Sequence, residues 1–305
     1  MLLADFIKDG VRDLEDLYPT KEAHNIIMML CESYLGTKSY THIVEPKYEI
    51  DPTKVEALDA ALTRLCAGEP IQHIVGFSEF CGHNYKVTPD VLIPRPETEL
   101  LVRSIVKEAS RIQRSRTAYG KKASPVRILD LCTGSGCIAW TLAVNVPGVE
   151  VVAVDISESA LEVARSQSAY FGHEVREKGM EDPVFVKADI LDTEQDFDYG
   201  MFDLIVSNPP YIMESEKAQM RRNVLDYEPA LALFVPDDDP LVFYRAIARW
   251  SQRFLAKDGK AMTEINELLG KETEEVFRSS GFPHTEIVKD FFDRNRFVIY
   301  SRNAI

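Results

Sequence analysis

Ile128-Leu-Asp-Leu-Cys-Thr-Gly-Ser-Gly136 joins a short apolar run to a turn in which two glycines stand one residue apart. Residues 126–130 predict a buried strand, and a helix is expected to start near Gly136. Glycine has no Cβ, so Gly134 and Gly136 permit positive φ and let a ligand approach the backbone closely. Outward from this point the pattern alternates. Residues 149–155, 184–187, 202–207 and 260–265 read as further strands, and 286–290 and 296–301 as a hairpin-like end. Interspersed are a helix capped by Ser157 and reaching about Phe171, one over 241–255, and one ending at Ser280. Such alternation predicts an α/β fold with a mostly parallel, doubly wound sheet of seven strands. In sheets of this kind ligands bind at the carboxyl ends of the strands, where the glycine turn lies.

Nineteen residues after Gly136, Asp155 ends the second strand, and a carboxylate there can accept hydrogen bonds from both ribose hydroxyls of an adenosine. Gly134-Ser-Gly-Cys-Ile-Ala139 also matches the G-x-G-x-x-A dinucleotide fingerprint, which would suit a nicotinamide-dependent dehydrogenase. Asp130 argues against that reading, because an acid beside the turn would repel a pyrophosphate. The same acid suits a ligand with a cationic sulfonium and an α-ammonium group. The turn Cys132, Thr133, Gly134, Ser135 and Gly136, with Asp130 and Asp155, therefore points to S-adenosylmethionine. Methyltransferase turns usually carry glycine where Cys132 stands. A Cβ makes positive φ costly, so Cys132 is expected to keep ordinary φ. Asp189, after the third strand, has two readings: an acceptor for the adenine amino group, or a solvated loop aspartate. Ile190 beside it would lie against the adenine ring.

Ser207-Asn-Pro-Pro-Tyr-Ile212 follows the fourth strand directly. Two consecutive prolines fix φ and lack N–H groups, so this loop is rigid. The Asn208 side-chain oxygen and the Pro209 carbonyl can together accept both N–H bonds of one planar NH2 group. That suits methylation of an amide or amino nitrogen by positioning and electrostatics rather than by a strong base. Tyr211 can wall the pocket and stack on a planar group. The expected catalytic residues are Asn208, Pro209 and Tyr211.

Residues 1–70 predict a small helical domain. Ala23, Ile26, Ile27, Leu30 and Tyr34 fall at helical spacing, as do Val55, Leu58, Leu62 and Leu65. Asp51-Pro52 reads as an N-cap followed by proline at the first helical position, and Gly68 as the stop. Residues 71–95 are β-formers broken by glycine, asparagine and proline, which predicts a hairpin connector. The catalytic domain then spans 96–305. It opens with a helix from Glu97 to about Arg111, followed by the basic stretch Arg114-Ser-Arg-Thr-Ala-Tyr-Gly-Lys-Lys-Ala-Ser-Pro125, expected as a solvated loop, with a contact for an acidic partner or RNA as the alternative.

The formal charge is −14, from 35 Lys and Arg against 49 Asp and Glu, which argues against a nucleic-acid substrate. Five cysteines with no C-x-x-C and six scattered histidines offer neither a disulfide framework nor a metal site, so no metal is expected. Asp5, Lys8 and Asp9 interrupt any apolar leader, and the apolar runs are too short to span a bilayer. A cytoplasmic enzyme is expected.

Gly68-Glu-Pro-Ile-Gln-His-Ile-Val-Gly-Phe-Ser-Glu-Phe80 and Leu92-Ile-Pro-Arg-Pro-Glu-Thr-Glu99, with the glycine turn and the N-P-P-Y loop, form four ordered blocks. Together with the helical domain they make essentially the whole chain resemble the release-factor glutamine methyltransferases, the HemK/PrmC family. That resemblance implies a seven-stranded Rossmann-like class I methyltransferase fold and S-adenosylmethionine as donor. It implies as acceptor the glutamine of the Gly-Gly-Gln loop of class-1 peptide chain release factors. Residues 132–136, Asp155, Ile190 and Asn208 would then contact the donor, residues 208–211 would hold the glutamine, and the helical domain would help grip the release factor. A monomer is expected. N-P-P-Y is shared with methyltransferases acting on exocyclic amino groups of RNA or DNA bases, which stand as the alternative. Arg95 either lines the site or anchors the connector by an ion pair. Tyr227-Glu-Pro-Ala-Leu231 is also family-like, whereas Phe234-Val-Pro-Asp-Asp-Asp-Pro240 departs from the usual glycine-rich stretch.

Overall fold

The computed structural model describes residues 1–117 and 124–304. It separates into two compact units, Met1–Phe77 with Met220–Tyr227, and Ser78–Gln219 with Glu228–Ile305.

The first unit holds α1 (Leu3–Asp13), α2 (Thr20–Leu35), α3 (Thr41–Val44), α4 (Pro52–Cys66) and α5 (Ile71–Val75). Asp51 caps α4 as its pattern predicts: its carboxylate accepts from the Thr53 amide at 2.9 Å, with Pro52 in the first turn. Ile27, Leu30, Leu58 and Leu65 are buried in one core. The β-rich reading of residues 71–75 is corrected. These residues form α5, because Pro70 precedes them, Gly76 ends them at φ +80°, and Ile71 and Ile74 share a face buried in the helical core. The hairpin is confined to β1 (Phe77–Phe80) and β2 (His83–Lys86), turning through Cys81 and Gly82, both at positive φ.

From there the chain runs through α6 (Thr98–Thr117), β3 (Val126–Leu131), α7 (Cys137–Asn145), β4 (Val149–Asp155), α8 (Glu158–Ser166), α9 (Ser168–Glu177), β5 (Val184–Lys187) and β6 (Phe202–Ser207). It continues through β7 (Ile212–Met213), α10 (Arg222–Tyr227), β8 (Phe234–Val235), α11 (Val242–Phe254), β9 (Leu255–Glu264), α12 (Gly270–Ser279), β10 (His284–Lys289) and β11 (Asn295–Ser301). Seven strands form one sheet in the order β10-β11-β9-β6-β3-β4-β5. All neighbours are parallel except β11, which runs antiparallel to both β10 and β9. Alternate residues feed two cores. Val126 and Ile128 pack on one face and Leu129 and Leu131 on the other.

Two helices differ markedly from expectation, and β9 starts at Leu255, ahead of the expected 260. The opening helix continues to Thr117, since Ile105, Ala109 and Ile112 keep helical spacing against the core. Arg116 is therefore a helical side chain, bonded to Asp203 and to the Pro125 carbonyl, each at 2.6 Å, rather than part of a solvated loop. The remainder of that stretch, 118–123, lies outside the described residues. The helix after Ser157 breaks at Gln167, whose buried side chain bonds the backbone of Lys86 and Ser135.

After β3 the chain builds β4 and β5 to one side, then crosses to place β6 on the other. Leu131 and Ser207 end up as direct neighbours in register. The glycine turn and the N-P-P-Y loop thus leave the sheet side by side, at its topological switch point.

Candidate active site

The turn after β3 has Cys132 at φ +61°, Gly134 at +53° and Gly136 at +76°. The expectation of ordinary φ for Cys132 is wrong. The turn needs a left-handed residue at the place where methyltransferases usually carry glycine, and the flanking hydrogen bonds hold cysteine in it. The Thr133 amide donates to the Val154 carbonyl and the Gly136 amide to the Thr133 carbonyl, both at 3.0 Å. Burial, with the charges of Asp155 and Asp130, pushes the Cys132 thiol well above its ordinary range, so it is a neutral thiol at neutral pH.

The two turn glycines serve different purposes. A Cβ on Gly134 would meet nothing within 4 Å, so that position lies open to a ligand. A Cβ on Gly136 would lie 2.9 Å from the Ala164 Cβ and 3.2 Å from its Cα. Gly136→Ala should therefore cost roughly 2–4 kcal/mol of stability through overpacking and left-handed strain. Gly134→Ala should cost only about 1 kcal/mol, from strain alone. Urea melts of the two variants measure the difference, and equal losses would contradict this division.

Asp155 closes β4 with its carboxylate fixed from both sides. Oδ2 accepts from the Gly134 amide at 2.8 Å and Oδ1 from the Ser157 amide at 3.0 Å. Both oxygens keep acceptor capacity, and the side chain lines a cavity together with Cys132, Thr133, Gly134 and Ser135. Asp189 and the buried Ile190 border the same cavity. One Asp189 oxygen accepts from the Leu191 amide at 2.8 Å. Gly136 is absent from the wall and instead starts α7.

Asp130 does not face the cavity either. It is fully buried beneath the turn, where one oxygen accepts from the Thr133 hydroxyl at 2.7 Å. Burial pushes its carboxyl up to about 7, with the Asp155 charge adding and the Thr133 bond opposing. Folding therefore takes up a proton between the ordinary carboxylate value and this one. The stability linked to Asp130 is complete below about pH 4 and is lost as pH rises. That loss ends near pH 7. Asp130→Asn removes the titration, so its unfolding free energy should fall less than wild type across that interval. Parallel slopes in urea melts at stepped pH would refute this.

On the acceptor side, Asn208 and Pro210 border the cavity, while Pro209 is buried and Tyr211 half-buried outside its wall. The Tyr211 hydroxyl donates to Glu264 Oε1 at 3.0 Å instead of facing the cavity. The Asn208 Nδ2 donates to the Thr98 hydroxyl at 3.2 Å, and Thr98 donates to Glu264 Oε2 at 2.7 Å. Arg95 fills both of its candidate roles. Its guanidinium bonds buried Glu228 at 2.6 Å, and it borders the cavity. Glu228 also accepts from the Ile93 amide at 3.0 Å, pinning the connector. The atypical segment at 234–240 pairs β8 in parallel with β7, directly after the N-P-P-Y loop.

Sequence reasoning missed Thr98, Glu228 and Glu264. Thr98 and Glu228 do lie within family-like blocks. Glu264 carried only the weak signal of a lone acid ending an apolar strand.

A seven-stranded sheet of this order, with a donor-type glycine turn and an N-P-P-Y loop meeting at its switch point, defines a class I S-adenosylmethionine-dependent methyltransferase. Residues 122–280 match a family described as a methyltransferase domain, and residues 5–76 match the PrmC N-terminal domain. A Bacteroides thetaiotaomicron protein named release factor glutamine methyltransferase is 39% identical over 291 residues, spanning 95% of this chain and 97% of its own. A Flavobacterium psychrophilum protein of the same name is 37% identical over 298 residues, spanning 98% of each chain. One from Chlorobaculum tepidum is 38% identical over 264 residues, spanning 86% of this chain and 85% of its own. The chain belongs to the release factor glutamine methyltransferase family.

Proposed function

We propose that this protein transfers a methyl group from S-adenosylmethionine to the side-chain amide nitrogen of the Gly-Gly-Gln glutamine of class-1 peptide chain release factors. The observation that carries this reading is one cavity bordered on one side by Asp155 and the glycine turn, and on the other by Asn208 and Pro210. The donor fits the residues present: an open glycine, a carboxylate held at a strand end, and buried Ile190 in the wall. When bound, it supplies a methyl group on a cationic sulfur.

The residues of the chain then bind and orient. Asp155 accepts from the ribose hydroxyls, Asp189 from the adenine amino group, and Ile190 packs on the adenine ring. An amide nitrogen is a poor nucleophile because its lone pair is delocalised into the carbonyl. The Asn208 oxygen and the Pro209 carbonyl accept both of its N–H bonds, hold it in line and favour positive charge on it. Tyr211 supports this loop through Glu264 rather than by stacking. The helical unit grips the release factor, and the enzyme works as a cytoplasmic monomer.

Three arginines in and beside the basic stretch are engaged within the chain, which weakens the support for the nucleic-acid alternative. Arg111 pairs with Glu108, Arg116 with Asp203, and Arg127 with Glu150. Among the described residues, no helix is long and apolar enough to cross a membrane. The test is methyl transfer from labelled donor to a purified release factor, with the product mapped by mass spectrometry. A methyl group on the Gly-Gly-Gln glutamine, lost when that glutamine is replaced, is the expected result. Transfer indifferent to that glutamine would overturn the assignment.

A further inference from the structure

The Asn208 side chain has two ends of opposite character, a carbonyl oxygen and an NH2 group. Only the oxygen can accept a hydrogen bond from the nitrogen to be methylated. The two ends are told apart by their partners. Here the partner is Thr98, and its hydroxyl has a single proton. That proton is taken by the Glu264 carboxylate, whose ionised form accepts and cannot donate; burial raises this carboxyl, and the bonds from Thr98 and Tyr211 oppose the rise. The Thr98 oxygen is therefore left only as an acceptor. An Asn208 oxygen turned toward it would set lone pair against lone pair, whereas the NH2 end donates to it at 3.2 Å. The other Glu264 oxygen is loaded by the Tyr211 hydroxyl, so both are committed to donors from the surrounding protein.

We propose that Glu264 and Thr98 are positioning residues that set the hydrogen-bond polarity of this chain and so keep the Asn208 carbonyl oxygen available to the acceptor nitrogen. The inference rests on the proposed role of Asn208. Its components come from three separate elements: Thr98 begins α6, Asn208 follows β6, and Glu264 ends β9. Thr98 and Glu264 are both buried, with 2% and 4% of their surfaces exposed, so solvent does not compete for these bonds. Thr98 also borders the cavity, whereas Glu264 lies behind it. They act on catalysis through Asn208.

The experiment compares Thr98→Val, Thr98→Ser, Glu264→Gln and Asn208→Ala, with kcat and acceptor KM measured alongside donor affinity by calorimetry. Thr98→Val preserves shape and removes the acceptor oxygen. Glu264→Gln also preserves shape, but its NH2 can donate to Thr98 and so allow the whole chain to reverse. Each should lower kcat by about tenfold or more while donor affinity stays within about twofold. Thr98→Ser restores the hydroxyl and should keep kcat within about threefold of wild type. A packing role would give a different pattern, because serine lacks the threonine methyl. If Thr98→Ser falls as far as Thr98→Val, the polarity argument is overturned. It is also overturned if Asn208→Ala loses kcat while Thr98→Val and Glu264→Gln keep theirs. If Asn208→Ala itself retains kcat, the reading of the acceptor site fails, and this inference fails with it.

Discussion

Asn208→Ala is expected to lower the rate of methyl transfer by roughly 10²–10³-fold, the loss typical of removing one preorganised polar partner of a transition state. The amide acceptor would keep only the Pro209 carbonyl to hold its NH2 group, and a single bond leaves the nitrogen free to swing off line. The loss should fall in kcat, because the charge that Asn208 favours develops only as the methyl group moves. Donor affinity should fall far less than after loss of Asp155, since Asp155 and the glycine turn, which supply most of the donor contacts, remain intact. The truncation also leaves the Thr98 hydroxyl without its Asn208 donor, a modest loss beside the catalytic one. Single-turnover transfer to a release factor, with donor binding followed separately, gives both numbers. An unchanged single-turnover rate would show that the acceptor is held elsewhere.

Asp155→Ala should have the complementary effect, weakening the donor by roughly 10²-fold while leaving kcat at saturating donor within a few-fold of wild type. Two causes add. The ribose hydroxyls lose charge-assisted acceptors, each worth about 1.5–3 kcal/mol in general. The turn also loses the carboxylate that accepts from the Gly134 and Ser157 amides, so the cradle itself loosens. Burial raises the Asp155 carboxyl above its ordinary value, with the amide bonds opposing, so the ligand meets a carboxylate already taken from water. Asp155→Asn discriminates between the two causes. Asparagine can accept from one amide, but its NH2 end faces the other as donor against donor. Its affinity should therefore fall nearly as far as alanine's. Calorimetric titration measures each. A fall in kcat with unchanged affinity would move Asp155 from donor binding to chemistry.

Much of the sheet was readable because its determinants are local. Strands 149–155, 184–187 and 202–207 were expected within the bounds found, since apolar runs, glycine breaks and the Ser157 cap all act between near neighbours. The places of Asp155, Asn208 and the glycine turn at strand ends were legible for the same reason: each ends or directly follows an apolar strand run in the sequence. The errors have a common origin. Residues 71–75 have β-forming side chains, yet Ile71 and Ile74 gain more by burying one helical face in the core of α2 and α4. Cysteine disfavours positive φ, but the closure of the turn onto Val154 overrides that preference at Cys132.

The sequence by itself determined most strands of the main sheet, where the turn and the proline loop fall along the chain, and which chemistry they suit. These follow from periodicity, capping and φ preference, which act over a few residues. Only the tertiary structure decided which distant groups share a hydrogen bond. Thr98 meets Asn208 across 110 residues and Glu264 across 166. Arg95 meets Glu228 across 133. Those encounters depend on strand order and on the crossover that brings β6 beside β3, and no local pattern encodes either.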